Sequence, residues 1–217
     1  DLIDFTPELR EQALELTKGV RMLDHPFNPP SLYNANSGAR GSVVMPAANG
    51  GANIPGGLAV DPETGIVYTA TIRSGSAYSL APGSERNVRF FGAKPGPSTM
   101  DFIQGPGGLR GPQGLPLWKP PYGSIVATDL KVGETLWRIP NGDTPDSVGN
   151  HPALAGIDIP RTGKRSHATI LLTKSLLIYG EGRSGDPILH AVDKATGEEI
   201  AQIELPAQTN TAPMTYF

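Results

Sequence analysis

The stretch V-A-T-D-L-K-V-G-E-T-L-W-R-I, Val126–Ile139, reads as a strand, a tight turn and a second strand. Two β-prone runs flank Asp129–Gly133, where an Asp carboxylate can cap backbone N–H groups and a Gly can take the positive φ that closes a tight turn. The unit returns 64 residues later as H-A-V-D-K-A-T-G-E-E-I-A-Q-I, His190–Ile203; Ala127, Asp129, Gly133, Glu134 and Ile139 are matched by Ala191, Asp193, Gly197, Glu198 and Ile203. A shorter copy, A-V-D-P-E-T-G at Ala59–Gly65, shares five of seven residues with Ala191–Gly197. A strand–turn–strand unit that recurs points to a solenoid or a propeller. The offset exceeds one small blade, so either the blades carry insertions or the copies are not a simple tandem.

Outward from these copies the texture stays β. Ile66–Ile72 is rich in β-branched residues and follows the turn at Asp61–Gly65. Further strands are expected at Gly123–Thr128, Glu134–Ile139, Thr169–Thr173, Leu176–Gly180, Ile188–Val192, Glu198–Leu205 and Met214–Phe217. Residues 24–57 read as loop with a short strand at Ser42–Met45, and residues 73–121 as mostly irregular. So long a connection is functional or an insertion between strands. One good helix is expected at Pro7–Lys18: Thr6 is placed to cap it, Pro7 suits its first position, and Leu9, Ala13, Leu16 and Val20 form its apolar stripe. No second helix follows, which argues against βαβ units and a parallel sheet.

Composition agrees. With 27 Gly and 22 Pro, about 23% of the chain is backbone punctuation, well above the usual share of about 12%. A net charge of −3 without a Lys/Arg cluster excludes the footprint of a nucleic-acid binder. No apolar run is long enough for a membrane-spanning helix. Zero cysteines removes disulfides, thiolate metal sites and thiol nucleophiles. The chain reads as a piece of something larger, cut at both ends.

A-x-D-x-x-x-G-E-x-x-W at Ala127–Trp137 resembles the tryptophan-docking motif of quinoprotein dehydrogenases, eight-bladed propellers that bind pyrroloquinoline quinone (PQQ). Four further stretches resemble the C-terminal half of that family, above all its glucose-dehydrogenase-like branch, and stand in family order. They are G-G-A-N at Gly50–Asn53, with D-P-E-T-G-I-V-Y after it; G-L-P-L-W-K-P-P-Y-G at Gly114–Gly123; L-T-K-S-L-L-I-Y-G at Leu172–Gly180; and A-P-M-T-Y at Ala212–Tyr216. The resemblance implies an all-β fold: several antiparallel blades of one propeller domain over residues 1–217, with a helix-containing excursion and loop at 1–57 and blades at 58–217. It implies a PQQ-dependent dehydrogenase that oxidises an alcohol, sugar or polyol with Ca²⁺ at the quinone. Electrons would pass to ubiquinone or a cytochrome c, in the periplasm. It implies cofactor-facing roles for Asn53, which matches the Asn of a Gly-Gly-x-Asn-Trp segment, for Ile54, where the family has Trp, and for His167. The family's calcium ligands and catalytic carboxylate come mainly from its N-terminal half, so no catalytic base and no metal ligand is assigned here.

Other readings stand beside this one. Propellers of PQQ-like repeats also serve as cofactor-free scaffolds in the bacterial envelope, although their repeats are short and regular. Gly180–Gly185 is a formal G-x-G-x-x-G, but Asp186-Pro187 and a strand follow it where a nucleotide site needs a helix, so it reads as a hairpin loop. Ser166 and His167 with Asp186 or Asp193 could suggest a hydrolase triad, yet no G-x-S-x-G elbow is present. His25, His151, His167 and His190 lack metal-ligand spacing. His167 faces the cavity or is structural, and Asn53 faces the cofactor or satisfies loop amides. His190 reads as a surface or packing residue, and Asp129 and Asp193 as turn caps. Trp118 is an inter-blade plug or a cavity-rim residue.

Overall fold

The structure, a computed structural model, describes residues 1–22, 28–34, 36–47, 50–53, 56–83, 87–88, 96–97 and 99–216. In chain order its elements are α1 (Pro7–Leu16), β1 (Ser31–Leu32), β2 (Ser42–Val44), β3 (Gly51–Ala52), β4 (Leu58–Asp61), β5 (Ile66–Ile72), β6 (Ser76–Pro82), β7 (Asn87–Val88), β8 (Gly96–Pro97), β9 (Phe102–Gln104), β10 (Gly123–Asp129), β11 (Glu134–Pro140), the single-turn α2 (Asp146–Gly149), β12 (His167–Leu172), β13 (Leu176–Arg183), β14 (Ile188–Asp193) and β15 (Glu199–Glu204). They fall into two compact units, Asp1–Ala47 with Gly75–Trp118, and Ala48–Ser74 with Lys119–Phe217.

In the first unit α1 starts where expected, with Thr6 Oγ1 accepting the Leu9 N–H at 3.2 Å. Its buried side chains are Leu9 and Ala13, and Thr17 and Val20 continue the buried stripe, whereas Leu16 is exposed. A small sheet holds β6 between β1, in parallel, and antiparallel β2, with β9 also paired to β6. Most of the described part of 73–121 is irregular, as expected, but the seven-residue β6 is a strand that was not expected there. Its inward residues are Ala77, Ser79 and Ala81, small side chains that leave no apolar signal. Trp118 is buried in this unit and donates from Nε1 to the Gly75 carbonyl at 2.9 Å.

The second unit contains two antiparallel sheets. One runs β11-β10-β5, with β4 and β3 both on the far edge of β5. Strand β5 pairs directly with β10 from Ile66↔Asp129 to Ile72↔Gly123, so everything between them is an insertion. The other is the meander β12-β13-β14-β15. Tyr68 and Ala70 of β5, Ile125 and Ala127 of β10, Ala168 and Ile170 of β12, Leu177 and Tyr179 of β13 and Val192 of β14 form one core between the sheets. Small Ala at three of these positions lets the sheets approach. Outer strand β15 is exposed along its length, including Ile200 and Ile203. Residues 214–216 form no strand.

The repeated unit folds the same way three times. Asp61, Asp129 and Asp193 each accept a backbone N–H two residues on, at 3.0, 2.7 and 2.8 Å. Each also offers its own carbonyl to the Gly that ends the turn, at φ of 79°, 75° and 76° for Gly65, Gly133 and Gly197. The 64-residue offset separates the last hairpins of two consecutive sheets, and the loop from Asn141 to Ser166 accounts for the extra length. The third turn is also a fastening point. Trp137 lies against Gly197 and donates to the Lys194 carbonyl at 3.2 Å, and Tyr68 donates to the same carbonyl at 3.1 Å.

Lys194 completes the fastening with its amine, which donates to Asp61 Oδ2 at 2.7 Å. This hydrogen bond holds the Asp61 carboxyl at about 2, below its ordinary 3.8, and raises the Lys194 amine above 10.5. The depressed carboxyl contributes stability that is fully present above its unfolded value of 3.8 and is lost as pH falls towards 2. The raised amine contributes stability that is fully present below 10.5 and is lost as pH climbs past the raised value. Asp61→Asn is therefore expected to flatten the fall of the unfolding midpoint from about pH 4 to about pH 2. An acid limb as steep as that of the unchanged protein would show that the pair does not couple the sheets.

Candidate functional site

Asn53 follows β3, and its backbone N–H donates to the Ala70 carbonyl at 2.8 Å, which ties it to β5. Gly57 lies against the Asn53 Cβ and the Ala168 carbonyl, leaving no room for a side chain there. Asn53 is thereby buried, and its Nδ2 donates to the Ser166 carbonyl at 3.3 Å, across 113 residues of sequence. No other described residue bonds its amide.

Ser166 immediately precedes His167, the first residue of β12. His167 is half-buried and pairs with Arg183 of β13, and the register shifts between His167 and Thr169. Two of the three residues expected at the cofactor thus belong to one local structure, Asn53 by its side chain and His167 as the neighbour of Asn53's acceptor. Ile54 lies outside the described residues.

A polar network adjoins this point that reading the sequence did not single out. Asn141, just beyond β11, donates from Nδ2 to Ser166 Oγ at 2.8 Å and to the Glu181 carbonyl at 3.4 Å. The Glu181 carboxylate is almost wholly buried; Oε2 accepts the Asp186 N–H at 2.8 Å, and Oε1 lies 3.2 Å from His190 Nε2. His190 is stacked on Tyr179 with ring centres 4.7 Å apart, so its packing role is the one seen. Burial pushes the Tyr179 phenol above its usual range. Beyond His190, Glu199 and Arg161 stand 3.5 Å apart at a small cleft of about 210 Å³. Period-2 alternation along β13 places Glu181 on the same face as Leu177 and Tyr179, and a carboxylate at an inward position was the available signal.

The decoys resolve simply. Gly180–Gly185 forms the end of β13 and the hairpin to β14, with no helix. No Ser–His–Asp triad is assembled among the described residues: Ser166 Oγ serves Asn141, Asp186 pairs with Lys164, and Asp193 caps its own turn. Among the described residues no group of three His, Asp or Glu side chains is placed to hold a metal ion.

Comparison with known proteins gives consistent matches. Residues 1–217 match the family described as "PQQ: Glucose/ethanol/alcohol dehydrogenase, beta-propeller domain". The "Probable quinate dehydrogenase (quinone)" of Xanthomonas campestris pv. juglandis is 30% identical over 197 residues, covering 85% of this chain and 24% of that protein. Quinoprotein glucose dehydrogenase A of Acinetobacter calcoaceticus is 26% identical over 203 residues, covering 88% and 23%. Among solved structures, a quinohemoprotein alcohol dehydrogenase from Pseudomonas putida HK5 superposes with a TM-score of 0.45 at 19% identity, covering 85% of this chain and 23% of that one. The chain spans about a quarter of the length of the curated relatives it matches.

Proposed function

The chain belongs to the glucose/ethanol/alcohol dehydrogenase β-propeller family, and we propose that it supplies one wall of the PQQ site in a dehydrogenase acting on an alcohol, sugar or polyol. The observation that carries the proposal is the Asn53 amide. One N–H is committed to Ser166, so the second N–H and Oδ1 are left for a ligand. PQQ bears quinone and carboxylate oxygens, acceptors for which a fixed amide N–H is the complementary donor, so the residue fits the group.

When bound, PQQ supplies the two-electron acceptor for oxidation of a substrate hydroxyl to a carbonyl. The chain's own part is positioning. Asn53 presents an N–H whose direction is set by Ser166, so the donor is oriented before the ligand arrives. The core between the sheets keeps β5 and β12 at the spacing this bond requires. For Ca²⁺ the described residues offer no donor set that fits, and no step is assigned to the ion. Its ligands and the catalytic base are proposed to lie in sequence that the relatives possess beyond the matched quarter. Transfer of electrons to ubiquinone or a cytochrome c, and a periplasmic location, belong to the same proposal.

The test is a dye-linked dehydrogenase assay on the protein expressed from its complete reading frame, with PQQ and Ca²⁺ added, across quinate, glucose, glycerol and ethanol. PQQ-dependent dye reduction with at least one substrate is expected. No PQQ-dependent turnover on any of them would count against the enzyme reading and favour a cofactor-free scaffold.

A further inference from the structure

Ser166 is held from two directions by amides far apart in the chain. Asn53 donates to its carbonyl at 3.3 Å and Asn141 donates to its hydroxyl at 2.8 Å. All three residues are buried. Asn141 is itself fixed through its backbone: its N–H donates to the Gly123 carbonyl at 2.9 Å, and its carbonyl accepts the Lys164 N–H at 2.7 Å. The same Nδ2 that reaches Ser166 also reaches the Glu181 carbonyl on β13. Asn141 thus joins the start of β10, the approach to β12 and the end of β13 at one point.

Its other amide atom is informative. Asn141 Oδ1 is enclosed and has no hydrogen-bond partner among the described residues. A buried acceptor without a partner is costly, so the side chain is not there merely to fill space, which an apolar residue would do at lower cost. What it does provide is a grip on the Ser166 side chain, and therefore on the peptide whose carbonyl receives Asn53.

We propose that Asn141 and Ser166 are positioning residues of the cofactor wall, acting through Asn53 by fixing the direction of its amide. The inference rests on the reading that Asn53 faces PQQ. Ser166 carries the restraint because its hydroxyl and its carbonyl belong to one residue: Asn141 holds the first, and Asn53 reads the orientation of the second.

The experiment is a PQQ titration of apo protein from the complete reading frame, followed by intrinsic fluorescence and by the absorption band of bound PQQ. Apo unfolding midpoints are measured alongside. Asn141→Ala and Ser166→Ala remove the same hydrogen bond from opposite ends, and Ser166→Ala deletes one atom while leaving the carbonyl, so it carries the test if Asn141→Ala fails to fold. Each is expected to weaken PQQ binding about fivefold and to shift the PQQ band in the direction that Asn53→Ala shifts it. Combined with Asn53→Ala, neither should weaken binding beyond Asn53→Ala alone, because groups acting through one partner are not additive. Lower unfolding midpoints with unchanged PQQ affinity would overturn the proposal, as would losses that add fully to that of Asn53→Ala. If Asn53→Ala itself leaves PQQ affinity unchanged, the cofactor-facing reading falls and this inference with it. If Asn53→Ala weakens binding while Asn141→Ala and Ser166→Ala do not, only this inference falls.

Discussion

Replacing Gly182 with alanine is expected to cost about 3–5 kcal/mol, the sum of left-handed backbone strain and overpacking against a rigid neighbour. Gly182 has a φ of +79°, and a Cβ there would collide with the His167 carbonyl on the facing strand. That neighbour is backbone, so no rotamer change can relieve the clash. It lies where β12 and β13 pair His167 with Arg183. Against a typical stability of about 5–15 kcal/mol the loss is large, and it should lower the melting midpoint by about 10 °C or more. Gly133→Ala is the control, since Gly133 has a φ of +75° with open space around it and should cost only about 1 kcal/mol. Equal effects of the two substitutions in thermal unfolding would mean that the close approach of β13 to His167 is not there. Because Ser166 precedes His167, a folded remnant of Gly182→Ala should also bind PQQ less well.

Glu181→Ala should be comparably severe, at about 3–5 kcal/mol. The carboxylate is 2% exposed and receives the Asp186 N–H and the His190 ring nitrogen at 2.8 and 3.2 Å. Truncation leaves the Asp186 N–H and the His190 ring without their acceptor and opens a cavity beside the Tyr179–His190 stack. Glu181→Gln keeps the shape but turns an N–H towards one of its two partners, so it should cost about 1–2 kcal/mol. Denaturant unfolding of the pair separates volume from hydrogen bonding. Loss of less than about 0.5 kcal/mol in Glu181→Ala would show that the buried network contributes nothing beyond an exposed surface position.

Which parts of this were legible in the sequence follows from how local their causes are. The Asp–Gly turns could be read because their chemistry closes within five residues: the carboxylate caps N–H groups two positions on, and one Gly takes the left-handed angle. The β5 and β10 runs carry their signal in β-branched residues. Strand β6 escaped because its buried face is Ala77, Ser79 and Ala81, so burial there comes from close approach rather than apolar bulk. In α1 helical spacing admitted Leu16, yet the buried stripe passes through Thr17, whose hydroxyl donates to the Leu14 carbonyl at 2.9 Å and so tolerates enclosure.

The site divides in the same way. Asn53 and His167 entered through a family resemblance, not through any property of their neighbours in sequence. Their proximity depends on a hydrogen bond between residues 113 positions apart, which no local pattern encodes. Asn141 follows a Pro at the end of β11 and looks like any turn residue until the fold brings Ser166 to it. Glu181 was the exception, because alternation with Leu177 and Tyr179 marks it as inward-facing; the glycines around it drew attention to a loop motif instead.

Asn53 is proposed to form part of a PQQ-binding wall built on the β5 and β12 sheets. The most direct test is an experimental structure of the protein from its complete reading frame with PQQ bound. Asn53 Nδ2 is expected within about 3.2 Å of a PQQ oxygen while its bond to the Ser166 carbonyl persists. PQQ bound elsewhere, with the Asn53 amide enclosed by protein alone, would contradict it.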